Sequence, residues 1–363
     1  MTEQLLALLR LGLGNSNPEK ESLSDFIMLP ANKWAMIGEI AMKQGVLGIV
    51  LDGLDVLGAT PYGTTRELSA QQKLEWIGQV MMIEQENHRQ CEIMNKLAQK
   101  WTEAGCKVMV MKGQANALMY PNPAHRSPGD IDCYLFGNYQ LGNDIAKEAG
   151  ATVDESWYKH SEIHYENVLF ENHQYFVHTR EGKRSKKLDK ELKEALNVED
   201  ASFKELTPYS VMPPVQWTAM FLTYHACGHF LIEGLRLKQV LDWAMFLKKY
   251  QNEVDWESFY SCCKKYHLRL FADAMTAISV EYLGVEITNP IVETKSPYTE
   301  RIIKSIFFDD DYIYSESEGN WRERYKVVRN LFRYRWKYEE VYQESVWKQL
   351  WLYVVGFLFK TEK

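Results

Sequence analysis

Little in this sequence ties it to a specialised class. Its six cysteines (Cys91, Cys106, Cys133, Cys227, Cys262 and Cys263) are scattered, with no CxxC pair and no dense framework of the kind small secreted domains use. Free thiols in a reducing compartment follow. The opening MTEQLLALLRLGLG puts an acidic residue before a short apolar run and lacks the positively charged region of a secretory leader. The longest apolar run, 350–359, falls well short of the roughly 20 residues a transmembrane helix needs. No transmembrane segment is therefore expected, and a cytoplasmic location fits. Net positive charge is missing as well. A formal charge of -7 argues against wholesale, nonspecific nucleic-acid binding, which rests on Lys and Arg neutralising phosphates.

What the chain does have is length, apolar residues and aromatics. Its 363 residues allow two or three structural units at roughly 100 to 200 residues each. A hydrophobic fraction of 46%, with 11 Trp and 21 Tyr, makes extensive disorder improbable and a sizeable core affordable. From the start to residue 104 apolar residues recur at three- and four-residue spacing, as in Trp76 and Val80, and Gly105 supplies a helix stop. Gly12 and Gly14 lack the preceding strand and third glycine of a dinucleotide fingerprint and read as a turn. Between 105 and 185 the pattern changes to strands interleaved with helices. A helix at 139–149 precedes two strand-like runs, 162–170 and 174–179, and the short connector Glu171-Asn172-His173 predicts a hairpin between them. The charged stretch 181–194 reads as a solvated helix or loop. Helical spacing returns from Val215 onward. The expected fold is α+β, a small mixed β-sheet within 105–185 flanked by helical regions at 1–104 and 186–363.

The chemistry concentrates in 108–136. A buried strand at 108–111 runs into a Lys112-Gly113 turn, a short helix, a Pro-rich connection carrying Arg126, and a second strand that sets Asp130 and Asp132 around Ile131. Alternate residues of a strand leave the same face, so both carboxylates point one way. Oxygen pairs of this kind suit hard cations such as Mg²⁺, which bind through one or two carboxylates plus substrate phosphates. A bare Asp-x-Asp also occurs at strand ends facing water; its company decides here. Gly129 immediately precedes Asp130, and Arg126 lies four residues before it. The block resembles the core of nucleotidyltransferases related to polymerase β. More narrowly, it is similar to a bacterial family of uncharacterised nucleotidyltransferases whose motif runs Lys-Gly, Tyr-Pro, Arg and Gly-Asp-Ile-Asp. Those elements stand here as Lys112-Gly113, Tyr120-Pro121, Arg126 and Gly129-Asp130-Ile131-Asp132.

The resemblance implies metal-dependent transfer of a nucleoside monophosphate from an NTP to an acceptor. Asp130 and Asp132 would be catalytic and hold Mg²⁺ or Mn²⁺, while Lys112, Gly113, Arg126, Gly129, His178 and Arg236 would contact the nucleotide. The acceptor is unspecified, with a small molecule or protein ranked above RNA because of the acidic net charge, and oligomeric state is left open. In the family a third acid sits in a Glu-Leu-His triplet on a later strand. The run read as its counterpart is Phe176-Val177-His178, which places an aromatic ring at the acid's position. Either another acid substitutes, with Glu162 and Glu166 as candidates, or catalysis is compromised. The second outcome would make the protein a nucleotide- or partner-binding module. An Asp-x-Asp glycosyltransferase ranks lower, given the Lys-Gly turn and the later helix bearing Arg236 and Asp242.

Further along, His225 and His229 share a helical face at i and i+4. A zinc site is disfavoured because the glutamate of His-Glu-x-x-His is absent. Asp242 can pair along its helix with Lys238. Near the end, an acidic segment (Asp309, Asp310, Asp311, Glu316, Glu318) precedes a helix in which Trp321, Tyr325, Val328 and Phe332 form an expected inward stripe and Arg322, Lys326, Arg329 and Arg333 a basic outer one.

Overall fold

A computed structural model of the protein describes residues 1–21, 24–27, 29–58, 68–179, 182–197, 202–308 and 321–358. Seven strands form one mixed sheet: β1 (Met109–Val110), β2 (Ile131–Tyr134), β3 (Thr152–Asp154), β4 (His160–Tyr165), β5 (Val168–His173), β6 (Lys204–Thr207) and β7 (Ser210–Met212). Their order across the sheet is β3-β4-β5-β2-β1-β7-β6. Helices cover both sides, so the α+β expectation holds. The sheet is larger than 105–185 allowed, because β6 and β7 come from the stretch read as helical and extend the edge beyond β1.

Strand alternation gives the sheet two unlike faces. On one side Val110, Ile131, Cys133, Ile163, Tyr165, Val168 and Phe170 pack against Leu97 and Trp101 of the long helix Ala70–Glu103 and Ala146 of the helix Tyr139–Glu148. The helix Ala70–Glu103 begins with a capping box in which Ser69 and Gln72 satisfy each other's backbone N–H groups. The other face turns Asp132, Glu171 and His173 toward the C-terminal helices. There Met109, Met111 and Tyr134 merge with a core built from Val215–Ile232, Leu237–Tyr250 and the N-terminal helices Thr2–Gly12 and Leu47–Gly58. The two helical regions at opposite ends of the sequence thus share one core.

The hairpin lies elsewhere than expected. Glu171-Asn172-His173 is not a connector but the last half of β5, and the turn is made by Glu166 and Asn167, both at positive φ (47° and 61°). Two successive positive φ values are what a two-residue turn matched to strand twist requires, and asparagine tolerates them well. The run 174–179 forms no strand.

Two further readings change. The charged stretch becomes the helix Lys183–Leu196, which buries Leu188, Leu192 and Leu196 and is therefore amphipathic rather than simply solvated. In the helix Trp321–Arg333, Tyr325 is 64% exposed, and the inward side is carried by Asn330 and Leu331. The acidic segment 309–318 lies outside the described residues. No helix among the described residues is long and apolar enough to cross a membrane.

Candidate active site

Strand pairing assembles the site. Strand β2 runs parallel to β5 with Asp132 opposite Glu171, so their side chains leave the same face. Asp130 stands just before β2, and one oxygen from each of Asp130, Asp132 and Glu171 lies within 4.8 Å of the others. The position read as lacking the third acid is a different place altogether. Phe176 is 1% exposed, with ring centroids 4.7 Å from Tyr134 and 5.0 Å from Trp217. Its backbone N–H donates to Asp189 at 2.7 Å. The carboxylate beside Asp132 is Glu171, five residues earlier. Neither candidate substitute is needed: Glu166 sits in the hairpin turn, 2.8 Å from Lys96, and Glu162 is a half-exposed residue on β4.

Three carboxylates this close repel one another by on the order of 3 kcal/mol per pair at an effective dielectric near 20. Cationic side chains offset this, Lys112 and His173 by direct contact and Lys159 through its charge. Lys112 Nζ lies 3.0 Å from Asp132 Oδ2 and 3.8 Å from Asp130 Oδ2. Burial works against its charge, but Asp132, Asp130 and Glu171 outweigh it and hold its pKa above the usual lysine range. Lys112 also donates to His225 Nε2 at 3.0 Å. That imidazole stays neutral because burial and the adjacent Lys112 charge push its pKa far down. His173, 1% exposed, donates from Nε2 to Asp132 Oδ1 at 3.0 Å and to Glu171 Oε2 at 3.2 Å, and from Nδ1 to the Tyr175 carbonyl at 3.1 Å. Burial opposes its protonation, yet the two carboxylates raise its pKa. The same hydrogen bond counters burial at Glu171 and lowers that residue's pKa.

The acids are still not satisfied. Asp132 Oδ2 is buried and receives no hydrogen bond, since Lys112 meets the distance without the direction. A buried carboxylate oxygen with an ion pair but no hydrogen bond, in a trio of converging acids, fits a divalent cation with oxygen ligands.

The remaining residues expected at the nucleotide fall into two groups. Gly113 (φ 66°) and Gly129 stand at the rim, where a Cβ on Gly113 would sit 3.5 Å from the Asp130 carbonyl. The loop carrying Gly129 is held by the long helix, with Asn87 donating to the Arg126 carbonyl at 2.9 Å and Gln90 to the Gly129 carbonyl at 2.9 Å. Arg126 is placed differently. Its Nε and Nη2 each lie 2.8 Å from an oxygen of Asp242, and it is 6% exposed. Tyr120 and Asn116 donate to the same carboxylate at 2.7 and 3.0 Å. Asp242 therefore serves a buried Arg126, not the intrahelical pair with Lys238. Lys238 Nζ instead reaches back to the Pro128 carbonyl at 3.0 Å. His178 lines a separate pocket with Tyr224, Leu231, Tyr338 and Tyr342, and burial lowers its pKa to about 3. Arg236 is exposed ahead of the helix Leu237–Tyr250. His229 Nε2 sits 3.2 Å from His225 Nε2, the nitrogen that also meets Lys112.

Sequence reasoning missed Glu171, His173, His160 and Lys238. The signal for the first two was present, since Glu171-Asn172-His173 is itself a Glu-x-His triplet.

The seven-stranded mixed sheet brings three carboxylates together beside a Lys-Gly turn. The profile of the family described as Uncharacterised nucleotidyltransferase matches residues 30–284, and the chain belongs to that family. No curated protein and no solved structure matches the chain.

Proposed function

We propose that the protein transfers a nucleoside monophosphate from an NTP to a hydroxyl-bearing small molecule or protein, as a member of the polymerase β-like group, using Mg²⁺ or Mn²⁺. The observation that carries this reading is the meeting of Asp130, Asp132 and Glu171 on one sheet face next to Lys112. These three residues would hold the cation. A divalent ion bound there neutralises charge on phosphate oxygens as it builds during displacement. Lys112, whose Nζ donates to neutral His225, would face the phosphates beside that cation. Gly113 permits close backbone approach to the triphosphate. Glu171, with its lowered pKa, is better suited to ligation than to accepting the acceptor's proton, because a general base works best near the operating pH. The binding-only alternative rested on a missing acid, and with Glu171 beside Asp132 nothing favours it.

The test uses NTPs labelled in the α-phosphate, with Mg²⁺ or Mn²⁺, against separate pools of small metabolites and proteins. Label should move to one pool with stoichiometric pyrophosphate release, and Asp132→Asn should abolish both. Metal-dependent NTP binding without pyrophosphate release from any pool would reduce the protein to a binding module. No metal-dependent binding at all would overturn the proposal.

A further inference from the structure

On the edge of the same sheet face stands a second set of ligand atoms with different chemistry. His160 on β4 and His173 on β5 are directly paired across the antiparallel ladder, and Glu171 lies two residues before His173 on the same face. One ligand atom from each of the three lies within 4.8 Å of the others. His173 Nε2 is 3.2 Å and His160 Nδ1 3.4 Å from Glu171 Oε2. Ligands bound at about 2.1 Å to a tetrahedral or octahedral ion are separated by roughly 3.0 to 3.4 Å, so both imidazole nitrogens already stand at a coordination-edge distance from the Glu171 oxygen.

An independent observation points to a ligand. His160 is 8% exposed and its Nδ1 has no hydrogen-bond partner, the 3.4 Å approach to Glu171 not qualifying as one. A buried ring nitrogen left unpaired is costly, and a packed site relieves it unless something else fills it. His173 is oriented as metal-binding histidines are, with Nδ1 held by a backbone carbonyl so that Nε2 faces the acids.

We propose that His160, His173 and Glu171 form a binding site for a borderline transition-metal ion of the zinc class, next to the oxygen-lined site and sharing Glu171 with it. Two imidazoles and one carboxylate form a donor set that selects zinc, iron or manganese over magnesium. Asp130, confined to the oxygen set, is not needed for it. The site does not depend on nucleotide transfer, although its shared Glu171 would bring the second ion beside the proposed nucleotide position.

The experiment titrates Co²⁺ into the full-length, metal-stripped protein without nucleotide and follows its visible ligand-field bands. A nitrogen-ligated spectrum that Zn²⁺ abolishes and excess Mg²⁺ leaves intact is expected. His160→Leu should weaken Co²⁺ binding by more than roughly 100-fold, and Asp130→Asn should retain the spectrum. That last variant separates this proposal from the nucleotide reading, since it removes only the oxygen site. Absence of the band, an unchanged band in folded His160→Leu, or its loss in folded Asp130→Asn would each overturn the assignment. Should His160→Leu not fold, X-ray absorption on the zinc-loaded wild type decides: two imidazoles per ion are required, and none refutes the site.

Discussion

Asp132 and Glu171 occupy matched positions on the parallel strands β2 and β5, and their carboxylates leave the sheet side by side. Such a pair is unfavourable without cations, and in the proposed reaction Glu171 is one of the residues that would hold the divalent ion. Glu171→Gln keeps the shape while removing the charge. It should lower nucleotidyl transfer by more than about 100-fold, beyond the range for losing an outer partner of a metal ligand. Relief of repulsion offsets the lost contact to His173, so melting should move by only a few degrees. Parallel measurements of pyrophosphate release and thermal unfolding check both halves; unchanged transfer would remove Glu171 from the site.

The ion pair of Arg126 with Asp242 is bidentate, buried, and shared with Tyr120 and Asn116. Removing one partner strands the other's charge. Asp242→Asn should therefore cost about 3–5 kcal/mol, whereas the double change Arg126→Met with Asp242→Leu should recover much of it. Urea unfolding of the two single variants and the double variant provides the comparison. A double variant as unstable as the sum of the singles would mean the two residues act separately.

Lys238 lies behind the site with its amine pushed down to about 7 from 10.5, by burial first and then by the charge of Arg126. The native state thus binds fewer protons than the unfolded chain between those two pH values. Stability rises with pH wherever the unfolded state holds more protons. Below pH 7 the buried ammonium exacts its full cost, and the cost fades as pH climbs toward 10.5. The stability of wild type minus that of Lys238→Met should accordingly increase across this window, as read by urea unfolding at several pH values. A flat difference would show that the amine titrates normally.

Local pattern carried the Lys-Gly turn, the Gly-Asp-Ile-Asp strand and the helices, because each depends on residues within a few positions of one another. The hairpin did not yield to the same reasoning for a specific cause. Within this part of the chain the dipeptide Glu-Asn occurs at both 166–167 and 171–172. Either can turn a chain, and only the pairing of β5 with β2 decides which one does. Choosing the second moved Glu171 and His173 out of a strand and put Phe176 where an acid was sought. Arg126 and Asp242 are 116 residues apart, so their pairing had no local trace. His160 went unnoticed because β4 begins two residues before the predicted strand.

The sharpest contrast between the two registers concerns Phe176. If its position belonged to the acid triad, Phe176→Glu would restore a carboxylate and raise activity. The structure predicts the reverse. The ring packs against Tyr134, Trp217 and Phe221, and a carboxylate there would be buried without a partner. Phe176→Ala should cost about 3–5 kcal/mol through the cavity it leaves, while the fraction that remains folded keeps its metal-dependent NTP binding. Phe176→Glu should be less stable still and gain no transfer activity. Urea midpoints together with calorimetric NTP titrations would record this, and a stable, more active Phe176→Glu would return the third acid to that position.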